Sequence, residues 1–181
     1  MVAGSGLKIP NTMKHSLLFL AALCLAQQAA NAQEVTVRMI DNASKSITLG
    51  ERMSPETVWN RFGVYAAYSF DDTEYLYGHI DHYNTEGLGF TCFNSTVHSF
   101  ATDSKQYVVI IDRKYILSIG MNIRAIESLI PATERTMEKC ADNSYVIRFI
   151  DLPTGIVLDD RLILHVDSQD RIICIGWEPT D

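Results

Sequence analysis

One segment of the chain, residues 75–83, concentrates side chains that can bind a partner or take part in acid–base chemistry. If this segment is a β-strand, alternate residues lie on one side of it. That side carries Tyr75, Tyr77, His79, Asp81 and Tyr83. Tyrosines provide rigid contact area with a polar tip, which protein interfaces favour. His79 beside Asp81 could also hold a proton or a metal ion.

The same segment has a plainer interpretation, as a half-buried strand whose tyrosines pack against neighbouring strands and whose His79 is solvated. A metal site needs three or four converging ligands, and His82 points to the opposite side of the strand from His79. The chain contains no Gly-x-Ser-x-Gly, P-loop, Gly-x-Gly-x-x-Gly or His-Glu-x-x-His sequence. The sequence therefore predicts a binding protein and not an enzyme, with no catalytic residue, metal or cofactor.

The N-terminal residues have the organisation of a secretory signal peptide. Lys14 and His15 precede an apolar run over residues 16–26, and Ala30-Asn31-Ala32 supplies the small residues that signal peptidase requires. The run is too short for a membrane-spanning helix, which needs about 20 apolar residues. We therefore expect residues 1–32 to be removed, which leaves a secreted or periplasmic protein that does not span a membrane.

Charge and N-terminal sequence also limit the partners. The chain has 15 basic and 22 acidic residues, and residues 1–32 hold two of the lysines and no acidic residue, so residues 33–181 carry a formal charge of −9. Nucleic-acid binding requires a basic patch, so we expect a protein partner and no nucleic acid. Leu23 before Cys24 is too large for lipoprotein processing, which argues against a lipid anchor.

Three cysteines remain after such processing: Cys92, Cys140 and Cys174. They allow at most one disulfide within the chain, in any of three pairings. Alternatively, all three are free thiols packed as small apolar side chains. The sequence does not decide between these arrangements.

Two matching sequences indicate an internal repeat. Ile47-Thr48-Leu49-Gly50 and Leu117-Ser118-Ile119-Gly120 are each followed by a short capped helix, over residues 54–63 and 122–131. Alternating apolar residues and turn sequences predict strands joined as antiparallel meanders. The predicted strands are residues 34–39, 75–83, 88–93, 97–102, 107–112, 145–152, 157–166 and 171–177.

These elements predict an α+β fold of two tandem helix-plus-antiparallel-sheet repeats, residues 33–112 and 113–181. The helices are expected on one face of a single continuous or closely abutting sheet. Short helices are unstable alone and must dock through their apolar residues. The residues expected to dock are Val58, Phe62, Ile126 and Ile130.

A helix introduced by an Ile-x-x-Gly turn and followed by antiparallel strands resembles the tandem-repeat fold of β-lactamase inhibitor protein. It is also similar to the single-repeat small lipoproteins of outer-membrane assembly, the SmpA/OmlA-like proteins. The resemblance covers nearly all of residues 33–181 and implies an envelope protein with a binding role. Three cysteines cannot form the inhibitor's disulfide pairs within each repeat, and a shared fold does not identify the partner.

The sequence thus predicts a secreted or periplasmic, non-catalytic protein-binding module that acts through the tyrosine-rich sheet face of residues 75–83. The alternative is an envelope small-ligand or metal-binding protein, or a hydrolase, with a site near His79 and Asp81. A deep pocket around these two residues would favour the alternative, and a shallow face would favour the protein-binding module.

Export with cleavage after Ala32 predicts a mature chain whose first residue is Gln33. Intact-mass spectrometry of the exported protein should give the mass of residues 33–181. An Ala32→Arg variant should retain residues 1–32, because signal peptidase requires a small residue at the cleavage site. An exported wild-type protein that still carries residues 1–32 would contradict the assignment.

Overall fold

The structure is a computed structural model that describes residues 33–72 and 78–179, which form twelve strands and two helices. The strands are β1 Val35–Met39, β2 Ser46–Thr48, β3 Ala66–Asp72, β4 Gly78–Thr85, β5 Leu88–Phe93, β6 Thr96–Thr102, β7 Tyr107–Ile111, β8 Tyr115–Ser118, β9 Arg135–Lys139, β10 Ser144–Asp151, β11 Ile156–Val166 and β12 Ile172–Glu178. The helices are α1 Pro55–Phe62 and α2 Ile123–Leu129.

The strands form two antiparallel sheets. One has four strands in the order β2-β1-β7-β8, and the other has eight in the order β3-β4-β5-β6-β12-β11-β10-β9. Both orders are symmetric about a central seam, where β1 pairs with β7 and β6 pairs with β12. The order of the elements also recurs along the chain, because two strands, a helix and four strands occur twice.

The predicted fold class is wrong. The described residues form a mainly β protein with two antiparallel sheets and two short helices, and not an α+β protein with helices on one face of a single sheet. The predicted division into two repeats, residues 33–112 and 113–181, stays a prediction.

The error has a physical cause, because all four strands that the sequence analysis missed lie at sheet edges. These are β2 and β8 in the smaller sheet and β3 and β9 in the larger one. An edge strand has a partner on one side only, so it can be short and needs less apolar alternation than a central strand. Strand β2 has three residues, and β9 has no fully buried residue.

Helix α1 begins and ends at the predicted residues. The Thr57 N–H donates to Ser54 Oγ over 3.2 Å, and Pro55 occupies the first turn, where its missing N–H costs nothing. Gly63 adopts a left-handed conformation with φ 73°, and its N–H donates to the Trp59 carbonyl. In α2, the Arg124 N–H donates to the Asn122 side chain as expected of an N-cap.

Both sheets and both helices share one continuous hydrophobic core. The predicted docking residues Val58, Phe62, Ile126 and Ile130 are all buried in it, which confirms that part of the prediction. The rings of Phe62 on α1 and Phe90 on β5 lie 5.6 Å apart, so α1 packs against the larger sheet. We call the side of the eight-stranded sheet that carries Phe90 the inner face and the opposite side the outer face.

Two glycines in hairpin turns provide a matched stability test. Gly87 and Gly155 both have left-handed backbones, with φ of 78° and 70°. A Cβ at Gly87 would lie 2.2 Å from the Ser104 Cβ, whereas a Cβ at Gly155 would enter open space. Urea unfolding should therefore show a loss of about 1 to 2 kcal/mol for Gly155→Ala, from backbone strain alone. Gly87→Ala should lose about 2 to 5 kcal/mol, because overpacking adds to the same strain. Equal losses would contradict the contact with Ser104.

Candidate functional site

The structure separates the residues of the predicted tyrosine face. Tyr75 and Tyr77 lie outside the described residues. Asp81 and Tyr83 point to the inner face of β4 and are 5 % and 1 % exposed. His79, at the beginning of the strand, is about half exposed. Within residues 78–83, which the structure describes, His79 is therefore the residue of the predicted tyrosine face that lies at the surface.

Tyr83 packs inside the protein. Its ring stacks on Phe90 with the centroids 5.0 Å apart. Burial raises the pKa of Tyr83 to about 12, with the nearby Asp81 carboxylate acting in the same direction. Its phenol is therefore neutral at physiological pH. The plainer sequence interpretation, a tyrosine packed against a neighbouring strand, describes its position.

A small polar cluster surrounds Asp81. The Ser69 hydroxyl donates to Asp81 Oδ1, and His79 Nε2 lies 2.9 Å from the same oxygen. In a hydrolase triad the histidine stands between the serine and the acid. Here the carboxylate stands between the other two groups, so this arrangement does not present Ser69 as a nucleophile activated by histidine.

No group of three or more potential metal-binding side chains occurs within residues 33–72 and 78–179. The alternative prediction, a small-ligand, metal or hydrolase site near His79 and Asp81, therefore rests on a single histidine–aspartate contact. It stays a prediction that metal analysis of the purified protein would test.

The three cysteines within the described residues, Cys92, Cys140 and Cys174, are free thiols. Cys92 is buried in the core, and burial raises its pKa to about 12. The negative charges of Asp81 and Glu51 make smaller contributions in the same direction. The thiolate is the nucleophilic form of cysteine, so this environment opposes a catalytic role for Cys92. Cys140 and Cys174 are each partly exposed.

The outer face of the same region carries an exposed aromatic pair. Tyr68 on β3 is 58 % exposed, and its ring stacks on His82 of β4 with centroids 4.1 Å apart and planes 22° apart. His82 Nδ1 lies 3.3 Å from Thr91 Oγ1 on β5. Because the neighbouring imidazole supports one side of its ring, Tyr68 presents a pre-positioned aromatic surface.

Small residues run beside this pair across the centre of the sheet. Gly89 on β5 is paired with Ala101 on β6, and Ala101 is paired with Gly176 on β12. We call these three residues the small-residue strip. With no side chain larger than a methyl group there, another backbone or ring can approach these strands closely.

Two depressions meet at Gly89 and Ala101 of the small-residue strip. One, of about 270 Å³, is lined on the outer face by Tyr68, His82, Thr91, Ser99 and Glu178 together with Gly89 and Ala101. The other, of about 440 Å³, lies against Gly87, Asp103 and Cys174 and shares Asn84, Gly89 and Ala101 with the first. The outer face therefore combines an aromatic edge with an accessible central strip.

Comparisons with known proteins add no identity. No family model, no curated protein and no solved structure matches the chain. The resemblance to β-lactamase inhibitor protein and to the small outer-membrane lipoproteins therefore stays a prediction. Among the described residues, none of the helices has the length and apolar character needed to cross a membrane.

Sequence reasoning missed the outer-face residues for two reasons. Tyr68 belongs to β3, an edge strand that was not predicted. Gly89, Ala101 and Gly176 all lie in predicted strands. Gly89 and Ala101 pair through the β5–β6 hairpin, but Gly176 joins them only through the pairing of β6 with β12. A search for small residues at alternate positions of successive strands would have marked Gly89 and Ala101.

The opposite positions of Tyr83 and Tyr68 predict opposite effects of substitution. Tyr83→Ala should lower the free energy of unfolding by about 3 to 5 kcal/mol, because it leaves a cavity against Phe90. Tyr68→Ala should change it by about 1 kcal/mol or less, because most of that side chain is exposed. Urea unfolding of both variants checks this, and a Tyr83→Ala protein as stable as the wild type would place Tyr83 outside the core.

Proposed function

We propose that this chain is a secreted or periplasmic, non-catalytic protein-binding module whose contact surface is the outer face of the eight-stranded sheet. The observation that supports it is the exposed Tyr68, stacked on His82, beside the small-residue strip. The secreted or periplasmic location rests on the signal-peptide pattern of residues 1–32.

The contact surface proposed here differs from the one predicted from the sequence. It lies on the opposite side of β4, which is the exposed side. Asp81 and Tyr83 are buried, so a partner docked on the folded protein cannot use them as contacts. Tyr68 keeps the property for which the tyrosines of residues 75–83 were singled out. It is a large, rigid side chain with few rotatable bonds, so ordering it at an interface costs little entropy.

The form of the surface favours a protein segment over a small molecule. Small-molecule sites are concave and enclose most of their ligand. The two depressions here lie on one face of a sheet and meet at Gly89 and Ala101 of the small-residue strip. A partner strand or loop laid across the strip would contact Tyr68 at one side and exposed sheet at the other.

Capture of a partner from envelope extract, with variants of the contact surface, tests the proposal. Tyr68→Ala should reduce recovery of the wild-type partner at least about tenfold, because an interface aromatic typically contributes about 2 kcal/mol or more. Ala101→Trp should abolish recovery, because the large side chain fills both depressions at the shared residue.

Tyr65→Ala is the matched control. Tyr65 is even more exposed, at 70 %, but it stacks on Trp59 of α1 and does not line either depression on the outer face. Recovery by this variant should equal that of the wild type. Recovery that is unchanged by both Tyr68→Ala and Ala101→Trp, with the variants folded, would remove the outer face as the contact surface.

A further inference from the structure

Two arginines lie side by side on the outer face. Arg148 on β10 and Arg161 on β11 are directly opposite in the antiparallel register. Their neighbours Ile147, Phe149 and Leu162 are fully or almost fully buried, so the arginines point outward. Their side chains are 34 % and 38 % exposed, which means that about two thirds of each is covered.

This placement is electrostatically unfavourable unless counter-charges are present. Like charges directly opposite in a sheet destabilise it, because the Cβ atoms of such a pair lie about 5 Å apart. Arg161 has a close partner, since its Nη2 lies 3.0 Å from Glu178 Oε2. Arg148 has a distant one, since its Nη1 lies 4.0 Å from Glu138 Oε2. The positive charge of Arg148 is therefore only weakly balanced.

Most of the hydrogen-bond donors of the pair are unused. Each guanidinium has five N–H donors. Within the described residues, Arg161 makes one side-chain hydrogen bond, to Glu178, and Arg148 makes none. Arg161 Nε is buried and has no hydrogen-bond partner there. A buried donor without an acceptor is destabilising, because it has lost its hydrogen bonds to water and gained none in the protein.

The arginine pair adjoins the proposed contact surface. Glu178, the partner of Arg161, also lines the depression beside Tyr68. A partner lying on the small-residue strip would therefore reach Arg161 across Glu178. The Tyr68–His82 pair and the Arg148–Arg161 pair both lie on the outer face of the sheet. The guanidinium groups therefore supply charged hydrogen-bond donors on the side of the contact surface away from Tyr68.

We propose that Arg148 and Arg161 together bind a carboxylate of the protein partner. This inference rests on the proposed function and adds the chemistry that the partner must present. Arginine donates two parallel N–H bonds to a carboxylate, and a carboxylate placed between two arginines also relieves their mutual repulsion. The partner is thus a protein with an exposed Asp or Glu beside a surface that fits the strip.

The charge of the whole chain favours a single carboxylate over a polyanion. Residues 33–181 carry a formal charge of −9, so a phosphate-rich membrane or nucleic acid is repelled over most of the surface. A single acidic side chain on an otherwise neutral or basic partner avoids this repulsion. It still gains the local attraction of two guanidinium groups.

Solution NMR of the ¹⁵N-labelled protein tests this without a known partner. The probes are acetyl-glutamate amide, acetyl-glutamine amide and inorganic phosphate, and the observed signals are the arginine Nε–Hε resonances. The glutamate probe should shift the Arg148 and Arg161 signals saturably, with a Kd in the millimolar range. Arg148→Gln or Arg161→Gln should weaken this binding at least about tenfold, because one guanidinium alone loses the shared geometry.

Arg113 provides the internal control. It lies in the turn between β7 and β8 and not in a cross-strand arginine pair, and its Nε and Nη2 already contact the Glu34 carboxylate at 3.0 Å, so its signal should not shift. The proposal is overturned if the glutamate probe causes no saturable shift, if the glutamine probe acts equally, or if phosphate binds as tightly. Tyr68→Ala should leave glutamate binding unchanged, so failure of partner capture and failure of carboxylate binding are separate results.

Discussion

The burial of the inner face of the eight-stranded sheet is the constraint on which the rest of the structure depends. Side chains alternate between faces, so fixing Ile147 and Phe149 of β10 in the core also fixes Arg148 on the outside. A slip of one residue would bury the arginine and expose two large apolar side chains. The packing of the core therefore determines which residues lie on the outer face, although those residues contribute little to the core.

How much of the fold the sequence could reveal depended on where each strand lies. Central strands such as β5 and β11 bury alternate residues against the core, so their pattern is visible in the sequence. The edge strands β2, β3, β8 and β9 are less constrained, and without them the second sheet could not be recognised. The helix caps at Ser54 and Gly63 were readable because they depend on local backbone chemistry.

The candidate site was harder, because both sides of β4 carry aromatic and polar residues. Period-two alternation correctly separates Asp81 and Tyr83 from His82. It does not say which set faces the core. That choice is made by tertiary packing, since Tyr83 stacks on Phe90, and Phe90 in turn contacts Phe62 of α1. A strand with one plainly apolar side would have been assigned correctly from sequence.

The symmetric strand orders have a consequence for folding kinetics. Each sheet closes through a seam between distant parts of the chain, with β1 against β7 and β6 against β12. Neither sheet can be completed from the first half of the chain. Long-range pairing of this kind raises contact order, and such domains typically fold in about milliseconds to seconds. The chain therefore remains open to chaperones, and exposed to aggregation, until its last strand is available.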